Sequence, residues 1–209
     1  MSNNISNAQA NVRTWNSLIY NVKAFNAKGD GKTDDTIAIQ SAIAAAEPGG
    51  TIEFSPGTYI VTSLGIEKDI RFHSNGMAVI KFSDDLSQNT NMFHIKKNGI
   101  KVEFEGLVLD GNKDKLTQPD AVNQLTYRLI EWKFVDNPVV AGVSSHIFVK
   151  GFRFLNIPTN AIYLAGYDDT SLSDEKSSLI FEISDNYFEK GFENAPGYVD
   201  TAIIAIFDN

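Results

Sequence analysis

The sequence predicts an all-β solenoid, short strands wound into stacked coils and preceded by a single helix. Three observations predict it. Beyond residue 50 the chain is a run of short apolar segments, at 58–62, 70–73, 78–82, 92–95, 100–104 and 107–109, with no second helix of convincing length. Asn75-Gly76, Lys97-Asn98-Gly99 and Asp110-Gly111-Asn112 lie between them, and each reverses the chain at little steric cost. One pattern also recurs. Phe104 to Asp110, Val149 to Leu155 and Ile183 to Glu189 each carry an apolar residue, a polar one, a Gly or Asp at a kink, then apolar residues again, with starts 45 and 34 residues apart. A second pair, Asn160 to Ala165 and Thr201 to Ile206, repeats at an interval of 41 and sets Ile162 opposite Ile203. Staggered copies of one strand-turn-strand unit stack as coils with loops of varying length, whereas a sandwich has no reason to repeat in this way.

In chain order, Ile5, Ala8, Val12, Trp15 and Ile19 form a heptad seam about two repeats long, which suits a docked helix or arm and also a self-association element. Val22 and Phe25 mark a short strand, stopped by the Gly29-Asp30-Gly31 turn. Thr33 is the expected helix N-cap, with Asp34 and Asp35 placing negative charge on the first turn. Ile37, Ile39, Ala42, Ile43 and Ala46 follow at helical spacing, and Ile37, Ile39 and Ile43 are expected to pack over the first coil. Pro48-Gly49-Gly50 ends the helix, and Thr51 to Phe54 alternates as the first strand of the coils. The organisation is then an arm or helix over 1–19, a capping strand and helix over 20–50, and coils over 51–209. Lys113 to Ser145 holds an aperiodic loop and a strand from Tyr127 to Phe134, an insertion placed to wall a groove. The apolar finish, Thr201 to Phe207, leads to the expectation that further coils or a partner chain cover that end.

Two motifs carry a resemblance. D-G-x-T-D-D-T-x-A-I-Q-x-A-I over 30–43 and P-G-G-T-I-x-F-x-P-G-T-Y over 48–59 resemble the opening of the pectate-lyase-like right-handed parallel β-helix superfamily. The resemblance implies a right-handed, single-stranded parallel β-helix with an N-terminal capping helix. It implies an activity less firmly, because polygalacturonases, pectate lyases and phage tail spikes share this fold. The N-T-D, G-H-G and R-I-K motifs of polygalacturonases are missing from the sequence, as is the calcium-binding Asp cluster with downstream Arg of pectate lyases.

Composition narrows the partners. A formal charge of −8 argues against nucleic acid, since nothing would neutralise a phosphate backbone. No apolar run is long enough for membrane insertion, and without Cys there is no thiolate metal site. Residues 1–12 lack the basic and apolar regions of a signal peptide, which fits a virion protein; the expected location is the virion or the extracellular space. No cofactor or metal set is expected. His73, His94 and His146 read as structural or surface residues, and Asp110-Gly111-Asn112, Asp185-Asn186 and Asp208-Asn209 as turn chemistry.

The candidate site lies on the strand pair with the interval of 41. Asp168 and Asp208 follow equivalent strands and are the candidate catalytic carboxyl groups, because glycoside hydrolysis needs two carboxyl groups facing one substrate. Tyr163, between inward Ile162 and Leu164, together with Tyr167 and Asp200, are the candidate substrate-binding residues. Such an acidic lining favours a neutral or amino-sugar polymer over a polyuronate. The leading reading is a homotrimeric tail-spike or appendage domain that binds a bacterial surface polysaccharide, with depolymerisation as a further expected activity. A bacterial polysaccharide lyase or glycoside hydrolase is the alternative, and a structural β-helix without ligand the third.

Overall fold

The computed structural model describes residues 15–84, 86–117, 125–133, 144–165, 178–189 and 204–207. Its strands fall into three parallel sheets that the chain visits in a fixed cycle, the arrangement of a parallel β-helix. Sheet A holds β1 (Ile19–Asn21), β3 (Gly50–Glu53), β6 (Ile70–His73), β9 (Lys101–Glu105), β12 (Ser144–Lys150) and β15 (Ser178–Ser184). Sheet B holds β2 (Asp30–Asp34), β4 (Gly57–Val61), β7 (Ala78–Phe82), β10 (Val108–Asp110), β13 (Arg153–Leu155) and β16 (Tyr187–Phe188). Sheet C holds β5 (Leu64–Ile66), β8 (Thr90–Ile95), β11 (Tyr127–Lys133), β14 (Asn160–Ala165) and β17 (Ile204–Phe207).

From Gly50 onward each passage through A, B and C is one coil. Before that, the chain passes through β1 and β2 and then forms α1 (Thr36–Ala45) where a sheet C strand would come. The helix completes the neighbouring strand by a side chain: Gly65 donates to Gln40 Oε1 at 2.9 Å, and Gln40 Nε2 donates to the Gly65 carbonyl at 3.2 Å. An amide side chain thus supplies the donor and acceptor that a further strand would offer to β5.

Inward residues of successive coils stack on one another. Ile70 pairs with Val102 and Phe72 with Phe104, and the two phenyl rings lie 5.1 Å apart and nearly parallel. Phe154 and Phe188 repeat the arrangement at 4.7 Å. Fully burying such a side chain is worth about 1.5–3 kcal/mol, and offset stacking adds to it. The predicted repeat is present: Val149 pairs with both Phe104 and Ile183. The second repeat is displaced by one residue, because Ile162 pairs with Ile204, not Ile203. In register, Tyr163 therefore pairs with Ala205.

Turn residues bridge coils as expected. Asn112, at φ 52, donates to the Phe82 carbonyl at 3.0 Å, and Asn186 donates to the Val149 carbonyl while accepting from the Phe152 N–H. Gly106 is required by its backbone: at φ +70 a Cβ would overlap the Ser74 carbonyl oxygen.

The opening departs from expectation in four places. Val22–Phe25 is a 3-10 helix, capped by the Asn21 side chain and closed by Asn26 at φ 72. Thr33 is no N-cap; its N–H and hydroxyl are both taken by the Asp30 carboxylate, and α1 begins at Thr36. The neighbouring aspartates divide the work, Asp34 accepting the Thr36 N–H while buried Asp35 accepts those of Lys28 and Gly29. Ile39 and Ile43 are buried, but Ile37 is 82% exposed. At about 100° per residue it lies across the helix from Ile39. Finally, Trp15 precedes irregular chain and Ile19 begins β1, so these two seam positions are not helical; Ile5, Ala8 and Val12 lie outside the described residues.

Tyr59 ties these parts together. Fully buried, it donates its hydroxyl to the Ser55 carbonyl at 2.9 Å, and burial, then the Asp35 carboxylate, push its phenol up to about 12. Two outcomes follow for urea denaturation. Ile39→Asp should cost several kcal/mol by burying an unpaired charge, while Ile37→Asp should stay within about 0.5 kcal/mol. Because the unfolded phenol ionises near pH 10 and Tyr59 holds its proton to about 12, stability should fall as pH rises between those values. Tyr59→Phe should flatten that slope.

Candidate functional site

The outward face of sheet C collects the chemistry. Across its strands Asn91 pairs with Arg128 and Arg128 with Asn160, and the ladder resumes at Phe93, Ile130 and Ile162. Met92, Leu129 and Ala161, at the skipped positions, are all buried beside buried neighbours. This interruption of the period of two, shared by three stacked strands, places Arg128 on the same side as Glu131 and Lys133. His94, Glu131 and Tyr163 then form one row in register, with Gly65 at one end and Ala205 at the other.

Glu131 is the centre of the row and is only 1% exposed. Its Oε1 lies 2.5 Å from Arg128 Nη1 and 3.3 Å from Lys133 Nζ. Its Oε2 accepts from Asn91 Nδ2 and lies 3.4 Å from His94 Nε2. A carboxylate removed from water in this way is tolerated because its lone pairs are filled by donors and cations. The Arg128 guanidinium lies 3.8 Å from the Tyr163 ring centroid, and Lys133 Nζ lies 5.8 Å from it. At the Gly65 end a Cβ would meet Lys96 Nζ at 3.1 Å, so that ammonium lies over the glycine beside His94.

The row therefore carries Lys96, Arg128 and Lys133 against one carboxylate, a positive patch on a chain of net charge −8. Arg128 Nε is buried and has no acceptor among the described residues. Such a surface attracts anions and holds a guanidinium already oriented on an aromatic ring.

Of the sequence-predicted site residues, Tyr163 faces outward as expected, although its ring carries Arg128. Asp168, Tyr167, Asp200 and Asp208 lie outside the described residues. Sequence reasoning missed Glu131, Arg128 and Lys133 and set His94 aside. The available signal was three charges in Arg128-x-x-Glu131-x-Lys133 within an otherwise apolar strand. By contrast, His73 is 2.6 Å from Glu53 through Nδ1 on sheet A, an ordinary cross-strand pair. Among the described residues no group of three or more His, Cys, Asp or Glu draws together as a metal site, and no helix is long and apolar enough to cross a membrane.

The chain is similar to several known proteins. The family model described as rhamnogalacturonase A/epimerase, pectate lyase-like matches residues 19–137. Alginate lyase 7 of Azotobacter vinelandii is 41% identical over 110 residues, covering 46% of this chain and 13% of that protein. Mannuronan C5-epimerase AlgE1 of the same organism is 39% identical over 113 residues, covering 47% of this chain and 8% of its own length. Among solved structures, Geobacillus virus E2 ORF18 superposes with a TM-score of 0.47 at 21% identity, over 83% of this chain and 37% of that one. The chain thus spans well under a fifth of these curated relatives.

Removing the central carboxylate should leave Arg128 and Lys133 without their counter-charge. Glu131→Ala is expected to lower unfolding stability by about 3–5 kcal/mol, and Glu131→Gln by less, since the amide retains an acceptor. Chemical denaturation of the two variants beside the wild type checks this.

Proposed function

The chain belongs to the rhamnogalacturonase A/epimerase, pectate lyase-like family, and from that premise we propose that it holds an acidic polysaccharide against the outward face of sheet C. The observation that carries this reading is the cationic row of Lys96, Arg128 and Lys133 ordered around buried Glu131. Carboxylate groups along a polymer would pair with Arg128 and Lys133, and Tyr163 would bound the sugar ring. The names of the relatives, an alginate lyase and mannuronan epimerases, support a polysaccharide ligand. The charge of the row argues against the neutral polymer expected from the aspartates alone.

Within this class we take the chain as a tail-spike or appendage domain, virion-borne or extracellular and homotrimeric, wound right-handed with α1 as its N-terminal cap. Depolymerisation, where it occurs, is assigned to Asp168 and Asp208. Static light scattering should then read three times the 23.0 kDa chain mass, and a monomer would remove the trimer from the proposal. Asp168→Asn and Asp208→Asn should each abolish depolymerisation of an acidic polymer that the wild type cleaves.

The binding test uses polymannuronate and neutral dextran in affinity electrophoresis. Polymannuronate should retard the wild type and dextran should not. Arg128→Ala should weaken binding at least tenfold, about 1.4 kcal/mol, and added salt should weaken the wild type in the same direction. Equal retardation by both polymers, or an unaffected Arg128→Ala, overturns the reading.

A further inference from the structure

Sheet A presents an outward surface with a different character. Its side chains stand in two rows set by the register, Thr51, Arg71, Glu103, Phe148 and Glu182 in one, and Glu53, His73, Glu105, Lys150 and Ser184 in the other. Between β6 and β15 the face dips into a cavity of about 250 Å³ walled by Arg71, Glu103, Glu105, Phe148, Lys150 and Glu182. We propose that this cavity is a second saccharide site, distinct from the sheet C row, that takes a single neutral sugar unit.

The argument starts from Phe148. It is a half-buried phenyl ring at an outward position whose strand neighbours in the row are Glu103 and Glu182. The polar groups beside it are held in place. Arg71 Nε lies 3.1 Å from Glu103 Oε1, and Arg71 Nη2 donates to Glu105 Oε2. The indole N–H of Trp15 donates to Glu103 Oε2 at 2.7 Å. Lys101 Nζ lies 4.3 Å from the Trp15 ring centroid and 5.4 Å from that of Phe148, linking Trp15 to the ring that walls the cavity. Each carboxylate oxygen accepts more than one hydrogen bond, so these groups remain able to receive hydroxyl donors.

Charge selects the ligand class. The walls hold Arg71 and Lys150 against Glu103, Glu105 and Glu182, with Lys101 beside them over Phe148, so an anionic ligand is disfavoured. A ring with hydroxyl groups that both donate and accept, and a C–H face to lay on an aromatic wall, satisfies these partners. The volume lies below the range of about 300–1,000 Å³ for drug-sized ligands, which suits one ring and not an oligomer. Orientation before binding reduces the ordering cost that otherwise erodes affinity for so small a ligand.

The chain has two tryptophans, and Trp132 is buried in sheet C at 2% exposure, so Trp132→Phe leaves Trp15 as a fluorescent reporter beside the cavity. Glucose, galactose and N-acetylglucosamine are titrated, with glucuronate as the charged control. At least one neutral sugar should give a saturable change in Trp15 emission, with glucuronate binding at least tenfold more weakly. Phe148→Ala should weaken the response at least tenfold, and Arg128→Ala should leave it unchanged. Saturation-transfer NMR on the wild-type chain provides the same comparison if Trp132→Phe does not fold. No saturable response to the three neutral sugars, a response that survives Phe148→Ala, or preferential binding of glucuronate overturns the proposal. Failure here with Arg128-dependent polymannuronate binding intact leaves the sheet C reading standing, and the reverse result would reject that reading alone.

Discussion

In-register parallel pairing is the interaction on which every other feature of this chain depends. It stacks equivalent residues of successive coils directly on one another, about 4.8 Å apart. Apolar positions must therefore repeat in kind, as Phe72 over Phe104 and Phe154 over Phe188 show. A slip of one residue would turn a coil's inward set to solvent. Backbone pairing and side-chain burial thus select the same register, and neither is easily altered without the other.

The same geometry constrains the outside. Like charges stacked on adjacent strands repel, so outward ionic residues tend to meet neighbours of opposite sign, as Arg71 beside Glu103 and Lys150 beside Glu105 do. In the outward rows of sheet A, Arg71 and Lys150 stand against Glu53, Glu103, Glu105 and Glu182, so that face carries no excess of cations. Sheet C solves the problem differently: Glu131 draws its cations from its own strand, Arg128 and Lys133, and receives His94 and Asn91 from the strand before. The outcome is a net positive row, and two faces of one solenoid acquire different chemical preferences.

The start of the solenoid is finished by side chains rather than by more sheet. Gln40 satisfies the exposed edge of β5, Asp35 draws the Lys28–Gly29 backbone onto the helix start, and Asn16 bonds the Pro48 and Gly49 carbonyls through its side chain and backbone. Each of these leaves fewer unpaired backbone groups at an edge where another chain would otherwise pair. The close spacing of polar residues between 30 and 40 has its explanation in these contacts, since Thr33, Asp34, Asp35 and Gln40 each have a different backbone or side-chain partner.

The sequence by itself determined the coils, their spacing of 45 and 34 residues, the helix before them with Ile39 and Ile43 inward, and the asparagine turns. These were legible because stacking makes equivalent residues recur, and because helical and turn preferences act over a few positions. The tertiary structure decided what depends on contacts between coils or on a local break in period. The sheet C site is of this kind: His94 and Glu131 are remote in sequence, and the irregularity at Met92, Leu129 and Ala161 is what sets Arg128 beside Glu131. The partner of Ile162 is another: two adjacent isoleucines satisfy the local pattern equally, and the register between strands selects Ile204.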